Sequence, residues 1–217
     1  MLRLITLCAL FATAGVAGTE NFDAVQPGSL PAGWTTALTG EGGHPSWQVT
    51  ADSSAPSKPN VLAQTSNDKI SRRFPLAVYE KATVRDGEVS VRFKPVSGTV
   101  DQAAGIVWRY RDAGNYYIVR ANALENNVVL YKVENGKRIP LAPKGTPAKT
   151  YGVKHTVPGQ SWSRLSVSFR GNLFTVSFNG EKLFDVEDGT FSQVGQIGLW
   201  TKADSVTYFD DFQFSGR

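Results

Sequence analysis

The chain has 217 residues, of which 23 are Lys or Arg and 19 are Asp or Glu, and it contains a single cysteine, Cys8. The basic residues are scattered among acidic ones and form no block, so the clustered basic stripe of a nucleic-acid-binding protein is absent and no nucleic-acid partner is expected. A lone cysteine argues against a small domain held together by disulfides.

The first 18 residues have the pattern of a signal peptide. Arg3 gives a short basic start, residues 4–14 form an apolar run, and the small residues Gly15 and Ala17 follow. An anchor helix needs about 20 apolar residues, so this run is too short to be one. The sequence therefore predicts cleavage after Ala17 or Gly18, export to the periplasm or cell exterior, and peripheral or no association with membranes.

Residues 19–217 are predicted to form one all-β domain. Apolar residues alternate over short runs, and turn residues interrupt them about every 8 to 12 positions, which is typical of a β-sandwich or barrel. A chain of this length suffices for a single well-buried core. The predicted strands cover residues 47–50, 61–64, 70–74, 87–95, 104–111, 116–123, 128–134, 164–170, 173–179, 181–186, 196–202 and 206–214. Segments 27–60 and 142–161, rich in Gly, Pro and Ser, are predicted to be largely rim loops.

The run 105–137, GIVWRYRDAGNYYIVRANALENNVVLYKVENGK, predicts three consecutive antiparallel strands. Placing Arg111 opposite Asn115 sets Trp108 against Ile118 and Ile106 against Arg120. One face then collects the aromatic and polar side chains Trp108, Tyr110, Tyr116, Arg120, Asn122 and Lys132. Val107, Val119, Val129, Tyr131 and Val133 fall on the opposite face, which is interpreted as core. Aromatic rings beside guanidinium and amide donors suit a sugar-like ligand. The alternative interpretation is that this face is the solvated outer face of a sandwich.

Trp200 and Lys202 share one face of the predicted strand 196–202. The alternation makes Trp200 a candidate sugar-stacking platform, with a core tryptophan beneath a rim loop as the alternative. Lys202 begins an adjacent loop that can donate and accept hydrogen bonds.

A family resemblance is carried by the blocks FDAVQPGSLPAGW, GIVWRYRDAGNYYIVRANALENNVVLYKVENGK, WSRLSVSFRGNLFTVSFNGEKLF and GQIGLWTKADSVTYFDDFQF, in that order. They resemble the concanavalin A-like, laminin-G-like jelly-roll superfamily and, more narrowly, the secreted 3-keto-disaccharide hydrolase family, also labelled family 16 glycoside hydrolase-like. The resemblance implies a two-sheet antiparallel jelly-roll sandwich whose concave sheet and loops hold carbohydrate. It points to residues 109–111, 115–117, Arg120, Asn122 and 200–202. The strand register instead assigns Arg109 and Tyr117 to the core side, where Arg109 is expected to stack or to hydrogen-bond at the sandwich edge.

No catalytic residue is assigned from the sequence. The alternating carboxylates of family 16 are missing, and the nearest group, Glu181 with 185–188, is interpreted as a solvated hairpin edge and exit loop. His44 and His155, the two histidines, lie in Gly- and Pro-rich loops and are interpreted as surface residues.

No cofactor is expected to be required. A structural calcium ion where the two termini meet, with Glu20 or Asp23 facing Asp210 or Asp211, is the one metal site considered. The favoured alternative is an Asp pair that hydrogen-bonds the final strand into place.

The sequence thus favours an exported protein that binds a glycan or glycoside on its concave sheet, with a carbohydrate as its partner. The first alternative is a hydrolase that acts on 3-keto-disaccharides or glycosides. A 3-keto group acidifies the neighbouring hydrogen and permits elimination with a single base, so no carboxylate pair is needed. The second alternative is a structural or adhesive surface module. The sequence does not define the sugar or the oligomeric state.

Overall fold

The computed structural model describes residues 15–217. Most of the predicted signal peptide lies outside these residues and remains a prediction. None of the described residues forms a helix that is long and apolar enough to cross a membrane.

The described chain folds into antiparallel β-strands, as predicted. The strands are β1 (Val16–Glu20), β2 (Trp34–Gly40), β3 (Trp47–Ala51), β4 (Asn60–Gln64), β5 (Arg73–Val84), β6 (Gly87–Ser97), β7 (Ala103–Asp112), β8 (Asn115–Asn122), β9 (Asn127–Glu134), β10 (Lys137–Leu141), β11 (Val153–Lys154), β12 (Ser163–Arg170), β13 (Leu173–Phe178), β14 (Glu181–Glu187), β15 (Gly195–Trp200) and β16 (Val206–Gly216). The sequence did not predict β1, β2, β10 and β11 as strands. Strand β1 pairs with β16 in the first sheet, and the other three lie in the second sheet.

Two sheets form a sandwich. The first has the order β14-β13-β12-β6-β16-β4-β3, with β1 paired to β16, and the second has the order β10-β9-β8-β7-β15-β5-β2, with β11 paired to β9. Strand β12 shows how the sequence builds the core between them. Leu165, Val167 and Phe169 are buried there, while the alternating serines are partly exposed.

Strands β7 and β8 pair in a register that differs from the predicted one. Trp108 pairs with Tyr117, and Ile106 pairs with Val119, so the predicted pairings with Ile118 and Arg120 are wrong. The cause is a bulge: the register shifts between Trp108 and Asp112, and Arg109 lies there with a φ of 48°. A bulge redirects the side chains that precede it, which reverses the predicted face of Trp108.

The second sheet curls strongly over its own outer face, here called the concave face. In a flat sheet β2 and β8 would lie about 19 Å apart, because neighbouring strands are about 4.8 Å apart. Thr39 on β2 nevertheless bonds the carbonyl of Ala113 in the β7–β8 turn, and its Oγ1 lies 2.8 Å from the hydroxyl of Tyr116. The curled sheet encloses a second apolar core on the concave face. Its members include Phe74, Leu76, Val78, Val107, Tyr116, Ile118, Val129, Tyr131, Val133 and Trp200.

Candidate functional site

Trp108 does not lie on the concave face. Its ring is fully buried between the sheets, with centroids 5.4 Å from Tyr117, 5.8 Å from Phe169 and 5.4 Å from Phe174. The bulge at Arg109 explains the difference from the predicted position. Trp108 therefore belongs to the core of the sandwich and presents no surface to a ligand.

Lys132 also points away from the concave face. It pairs with Tyr117, whose ring is in the core between the sheets, and directly opposite residues share a face. Its Nζ donates to Thr190 Oγ1 at 2.8 Å and lies 3.5 Å from a carboxylate oxygen of Asp188. Lys132 thus tethers the loop that follows β14, and its predicted place in the ligand-facing set is wrong.

Tyr116 and Trp200 lie on the concave face but are fully buried in its second core. Trp200 stacks on Phe74 with ring centroids 5.5 Å apart, and burial raises the pKa of Tyr116 far above its usual range. Tyr110 packs beside this core with its ring 5.9 Å from that of Tyr116 and remains partly exposed. The alternative interpretation of Trp200, a core tryptophan, matches its position.

A polar cluster occupies the concave face around Arg120, whose guanidinium is 1 % exposed. Arg120 Nη2 lies 2.7 Å from Glu125 Oε2, 3.2 Å from the Tyr131 hydroxyl and 3.1 Å from the Tyr151 hydroxyl, while Nη1 donates to Asn127 Oδ1. We call these five residues the Arg120 cluster. The β8–β9 hairpin supplies four of them, and the segment before β11 supplies Tyr151.

Asp101, Asn122 and Lys202 form a second group. Asp101 is 1 % exposed and accepts from Asn122 Nδ2 at 2.6 Å and from Lys202 Nζ. Burial raises the pKa of Asp101, and the charges of Lys202 and Arg120 oppose that rise only in part. Asn122 Oδ1 accepts from the backbone NH of Glu125 at 3.1 Å, so this group is joined to the Arg120 cluster.

Glu125 is the one carboxylate of the Arg120 cluster and is more accessible than the buried Asp101. Burial alone would raise its pKa, but the charge of Arg120 and hydrogen bonds from Asn127 and Arg120 outweigh burial and hold the pKa below its usual range. Both of those bonds end on Oε2, and Oε1 makes no hydrogen bond to any residue in 15–217. With 37 % of the side chain exposed, Glu125 can accept a hydrogen bond or a proton from a ligand.

Tyr151 is the exposed aromatic residue of the cluster, with 46 % of its surface accessible. Its hydroxyl is held by Arg120 and Tyr131, which leaves the ring open to solvent. The sequence did not predict Asp101, Glu125, Asn127, Tyr131 and Tyr151 as site residues. For Glu125 a signal existed: it lies in the short turn between two predicted strands, beside the basic residue of the first.

Arg109 and Tyr117 lie on the core side as expected, although the β7–β8 pairing from which this was expected is wrong. Arg109 is 1 % exposed, and its guanidinium donates to the carbonyls of Arg85 at 3.0 Å, Phe191 at 2.7 Å and Gly171 at 2.7 Å. The arginine therefore fastens loops at the edge of the sandwich. It takes no part in the concave-face site.

Among the described residues, the other candidate acids and bases make no side-chain hydrogen bond to the Arg120 cluster. Asp185 accepts from Thr175 and Lys182, each at 2.7 Å, and Glu181 is exposed at the start of β14. The His155 ring packs on Phe178 with centroids 4.6 Å apart.

The carboxylates considered for calcium each have another partner. Glu20 accepts from the Tyr79 hydroxyl at 2.6 Å, Asp23 accepts from the Asn60 NH at 3.1 Å, and Asp210 accepts from the Ser57 NH at 2.8 Å. Asp211 lies 3.5 Å from an Arg92 nitrogen. Within residues 15–217, no three His, Cys, Asp or Glu side chains are grouped so that they could hold a metal ion.

Comparison of the sequence with protein-family models gives one match, the 3-keto-alpha-glucoside-1,2-lyase-like domain, over residues 21–215. The chain belongs to this family. The match spans nearly all of the described residues and confirms the resemblance to the 3-keto-disaccharide hydrolase family. Family membership supports a carbohydrate-directed function. No curated protein sequence matches the chain.

Solved structures show the same fold at low sequence identity. The carbohydrate binding module CBM66 from Bacillus subtilis is 21% identical, with a TM-score of 0.62 over 83% of this chain and 93% of that one. A Bacillus licheniformis beta-glucanase is 12% identical, with a TM-score of 0.54 over 93% of this chain and 98% of that one. A protein of unknown function from Shewanella oneidensis is 13% identical, with a TM-score of 0.57 over 97% and 90%. These likenesses confirm the predicted concanavalin A-like jelly-roll architecture.

Proposed function

We propose that the protein binds a glycan or glycoside at the Arg120 cluster on the concave face. One observation carries the proposal: an exposed aromatic ring, Tyr151, lies beside an ionised carboxylate, Glu125, and both are fixed by the same buried guanidinium. Sugar sites combine a ring that packs against apolar C–H faces with a few fixed polar groups that bond hydroxyls.

The accessible groups fit distinct parts of a sugar. The Tyr151 ring offers a face for stacking, and Glu125 Oε1 offers an acceptor for a hydroxyl hydrogen. The Lys202 ammonium, with 16% of its side chain exposed, offers a donor for a hydroxyl oxygen. These groups replace Trp108, Lys132 and Trp200 as the proposed contacts.

A second proposal is that the same site eliminates the aglycone from 3-keto-glycosides, as the description of the family favours. The ketone at C3 acidifies the hydrogen on C2. Glu125, kept ionised by Arg120, takes that proton, a double bond forms between C1 and C2, and the bond from C1 to the aglycone oxygen breaks. The departing oxygen receives a proton, for which the Tyr151 hydroxyl and the Lys202 ammonium are the nearby donors. The step neither oxidises nor reduces the sugar, so it needs no redox cofactor.

Export is proposed from the pattern of the first 18 residues. The predicted cleavage positions after Ala17 and Gly18 fall within β1 (Val16–Glu20), which pairs with the end of β16. N-terminal sequencing of the mature protein from culture medium or periplasm would locate the cut. An uncut chain that stays in the cell would contradict export.

One experiment separates binding from elimination. The purified protein is incubated with 3-keto-glycosides and with the parent glycosides, and calorimetry is compared with detection of free aglycone. Heat of binding without aglycone supports the binding proposal, and release from the 3-keto compounds alone supports elimination. Absence of both across the panel contradicts both proposals and favours a structural or adhesive module.

A further inference from the structure

Arg138 on β10 carries a guanidinium that lacks a polar partner. Its Cζ lies 4.6 Å from the ring centroids of both Phe74 and Tyr131 and 5.6 Å from that of Trp200. Its Nη1 is buried without an acceptor, and the guanidinium makes no hydrogen bond or ion pair with any residue from 15 to 217. A buried charged donor without a partner destabilises the fold, so an unpaired guanidinium nitrogen is an unusual feature to retain.

The neighbouring arginine of the same face shows the contrast. Arg120 also lies near the Tyr131 ring, at 5.9 Å, but its nitrogens bond Glu125, Asn127 and two hydroxyls. Arg138 has the aromatic contacts without the acceptors. Stacking fixes the plane of a guanidinium and leaves its edge, which carries the donors, for a planar or multidentate anion.

A cavity of ≈ 410 Å³ lies beside this arginine. Its lining includes Arg72, Glu41, Lys137 and Arg138, and it is formed by the ends of β2 and β5 and by the β9–β10 turn. Arg72 is neutralised by an ion pair with Glu41 at 2.5 Å. Lys137 has no carboxylate within ion-pair distance among the described residues, so Lys137 and Arg138 both line the cavity without an ion-pair partner.

We propose that this cavity binds an anionic substituent of the glycan, a carboxylate or a sulfate ester, with Arg138 as the specificity-determining residue. The inference rests on the proposed function, because Tyr131 joins the two places: its ring contacts Arg138 and its hydroxyl bonds Arg120. A single glycan then places a sugar residue over the Arg120 cluster and its charged group in the cavity. The proposal narrows the substrate class to acidic glycans.

The test compares methyl glucoside, methyl glucuronide and glucose 6-sulfate by calorimetry on the full mature chain. Hydrogen bonds to charged groups predict that an acidic sugar binds about 10- to 100-fold more tightly than the neutral one, with the preference declining as salt rises. Tighter binding of methyl glucuronide indicates a carboxylate, and tighter binding of glucose 6-sulfate indicates a sulfate ester. If the neutral sugar binds as tightly as both acidic ones, this inference fails while the binding proposal stands. If no sugar binds, both fail.

Substitutions of Arg138 test whether this residue causes the preference for acidic sugars. Arg138→Gln is expected to remove the acidic preference and to retain the affinity for methyl glucoside, and Arg138→Lys is expected to retain part of the preference because the charge remains. Arg170→Gln is the matched control, since it removes the same charge from an exposed position on the other sheet. Thermal unfolding checks that each variant folds. If Arg138→Gln is unstable, Arg138→Lys and the salt series decide. If Arg138→Lys keeps the full preference for acidic over neutral sugars, and keeps it at high salt, the assignment of Arg138 as the specificity-determining residue is overturned.

Discussion

Arg120 Nη2 donates to Glu125 Oε2 at 2.7 Å across the β8–β9 turn, and the same carboxylate oxygen accepts from Asn127 Nδ2 at 3.0 Å. The two bonds fix one oxygen of the carboxylate and direct the other toward solvent. They also stabilise the ionised form, since each favours negative charge. An oriented, ionised carboxylate beside an exposed ring is the basis of both functional proposals.

Glu125→Gln is therefore expected to lower aglycone release from 3-keto-glycosides by about 10²- to 10⁴-fold, the usual contribution of a general base. The amide keeps the size of the side chain but cannot take a proton, so KM should change much less than kcat. Steady-state kinetics measure both. Glu134→Gln on β9 is the matched control, because it removes an equally exposed carboxylate away from the cluster. Full activity in Glu125→Gln would disprove the assignment.

Tyr151 is expected to contribute to affinity through its ring. Tyr151→Ala should weaken glycoside binding about 2- to 10-fold, since stacking contacts of aromatic rings are worth about 0.5–1.5 kcal/mol. Tyr151→Phe keeps the ring and loses only the hydroxyl contacts with Arg120 and Tyr131, so its loss of affinity should be smaller. Calorimetry with the same glycoside measures both variants. Equal losses in the two variants would show that the hydroxyl, rather than the ring, carries the contribution.

The alternation of apolar residues predicted the strands and the core where both depend on local sequence. Leu165, Val167 and Phe169 on β12 are buried as expected, because a period of two fixes the face of each side chain in a regular strand. The tight turn at Asn135 and Gly136 was also predictable, and both residues have positive φ. Each of these features is decided within a few residues of the chain.

The faces of β7 were not predictable in the same way. The bulge requires a positive φ at Arg109, a conformation that local sequence disfavours for arginine. Carbonyls of Arg85, Gly171 and Phe191, which are 24, 62 and 82 residues away in sequence, hold the guanidinium there. A contact made only in the folded chain thus sets the register, and with it the position of Trp108.

The site was missed for a related reason. Tyr151 reaches Arg120 from 31 residues away, out of a segment with no strand pattern of its own. The curl of the second sheet, which buries Trp200 and Tyr116, comes from contacts between β2 and the β7–β8 turn. Periodicity predicts which face a side chain takes, but it does not show which parts of that face remain accessible.

Trp108→Ala is expected to destabilise the fold by about 3–5 kcal/mol, the usual cost of removing a large buried aromatic side chain. The ring contacts Tyr117, Phe169 and Phe174 and is fully buried. Denaturant unfolding measures the loss, and glycoside affinity of the folded fraction should not change. Tyr110→Ala, at a partly exposed position on the same strand, should cost less. A stable Trp108→Ala variant with weakened binding would instead restore Trp108 to the ligand site.

Asp204 should make stability depend on pH in the acid range. Burial alone would raise its pKa, but hydrogen bonds from the backbone of Thr99, Asp101 and Val100 outweigh burial and hold the pKa below its usual range. A carboxyl whose pKa is lowered by folding stabilises the protein above the unfolded pKa of about 3.9, and that stabilisation is lost as pH falls through the lower folded value. The thermal unfolding midpoint should therefore decrease as pH falls below about 4, with Asp204 contributing to the slope.

Asp204→Asn tests this contribution. An amide nitrogen replaces one oxygen that now accepts NH donors, so the variant should be less stable at pH 7 by about 1–3 kcal/mol and should lose part of the acid dependence. Asp112→Asn is a suitable control, because Asp112 is exposed in the β7–β8 hairpin. Unfolding midpoints from pH 2.5 to 7 compare the three proteins.

Since Asp204 holds the loop that carries Asp101, Asp204→Asn should also weaken the bond from Lys202 to Asp101 and reduce glycoside affinity. An unchanged affinity together with a clear loss of stability would show that this loop does not act on the ligand site.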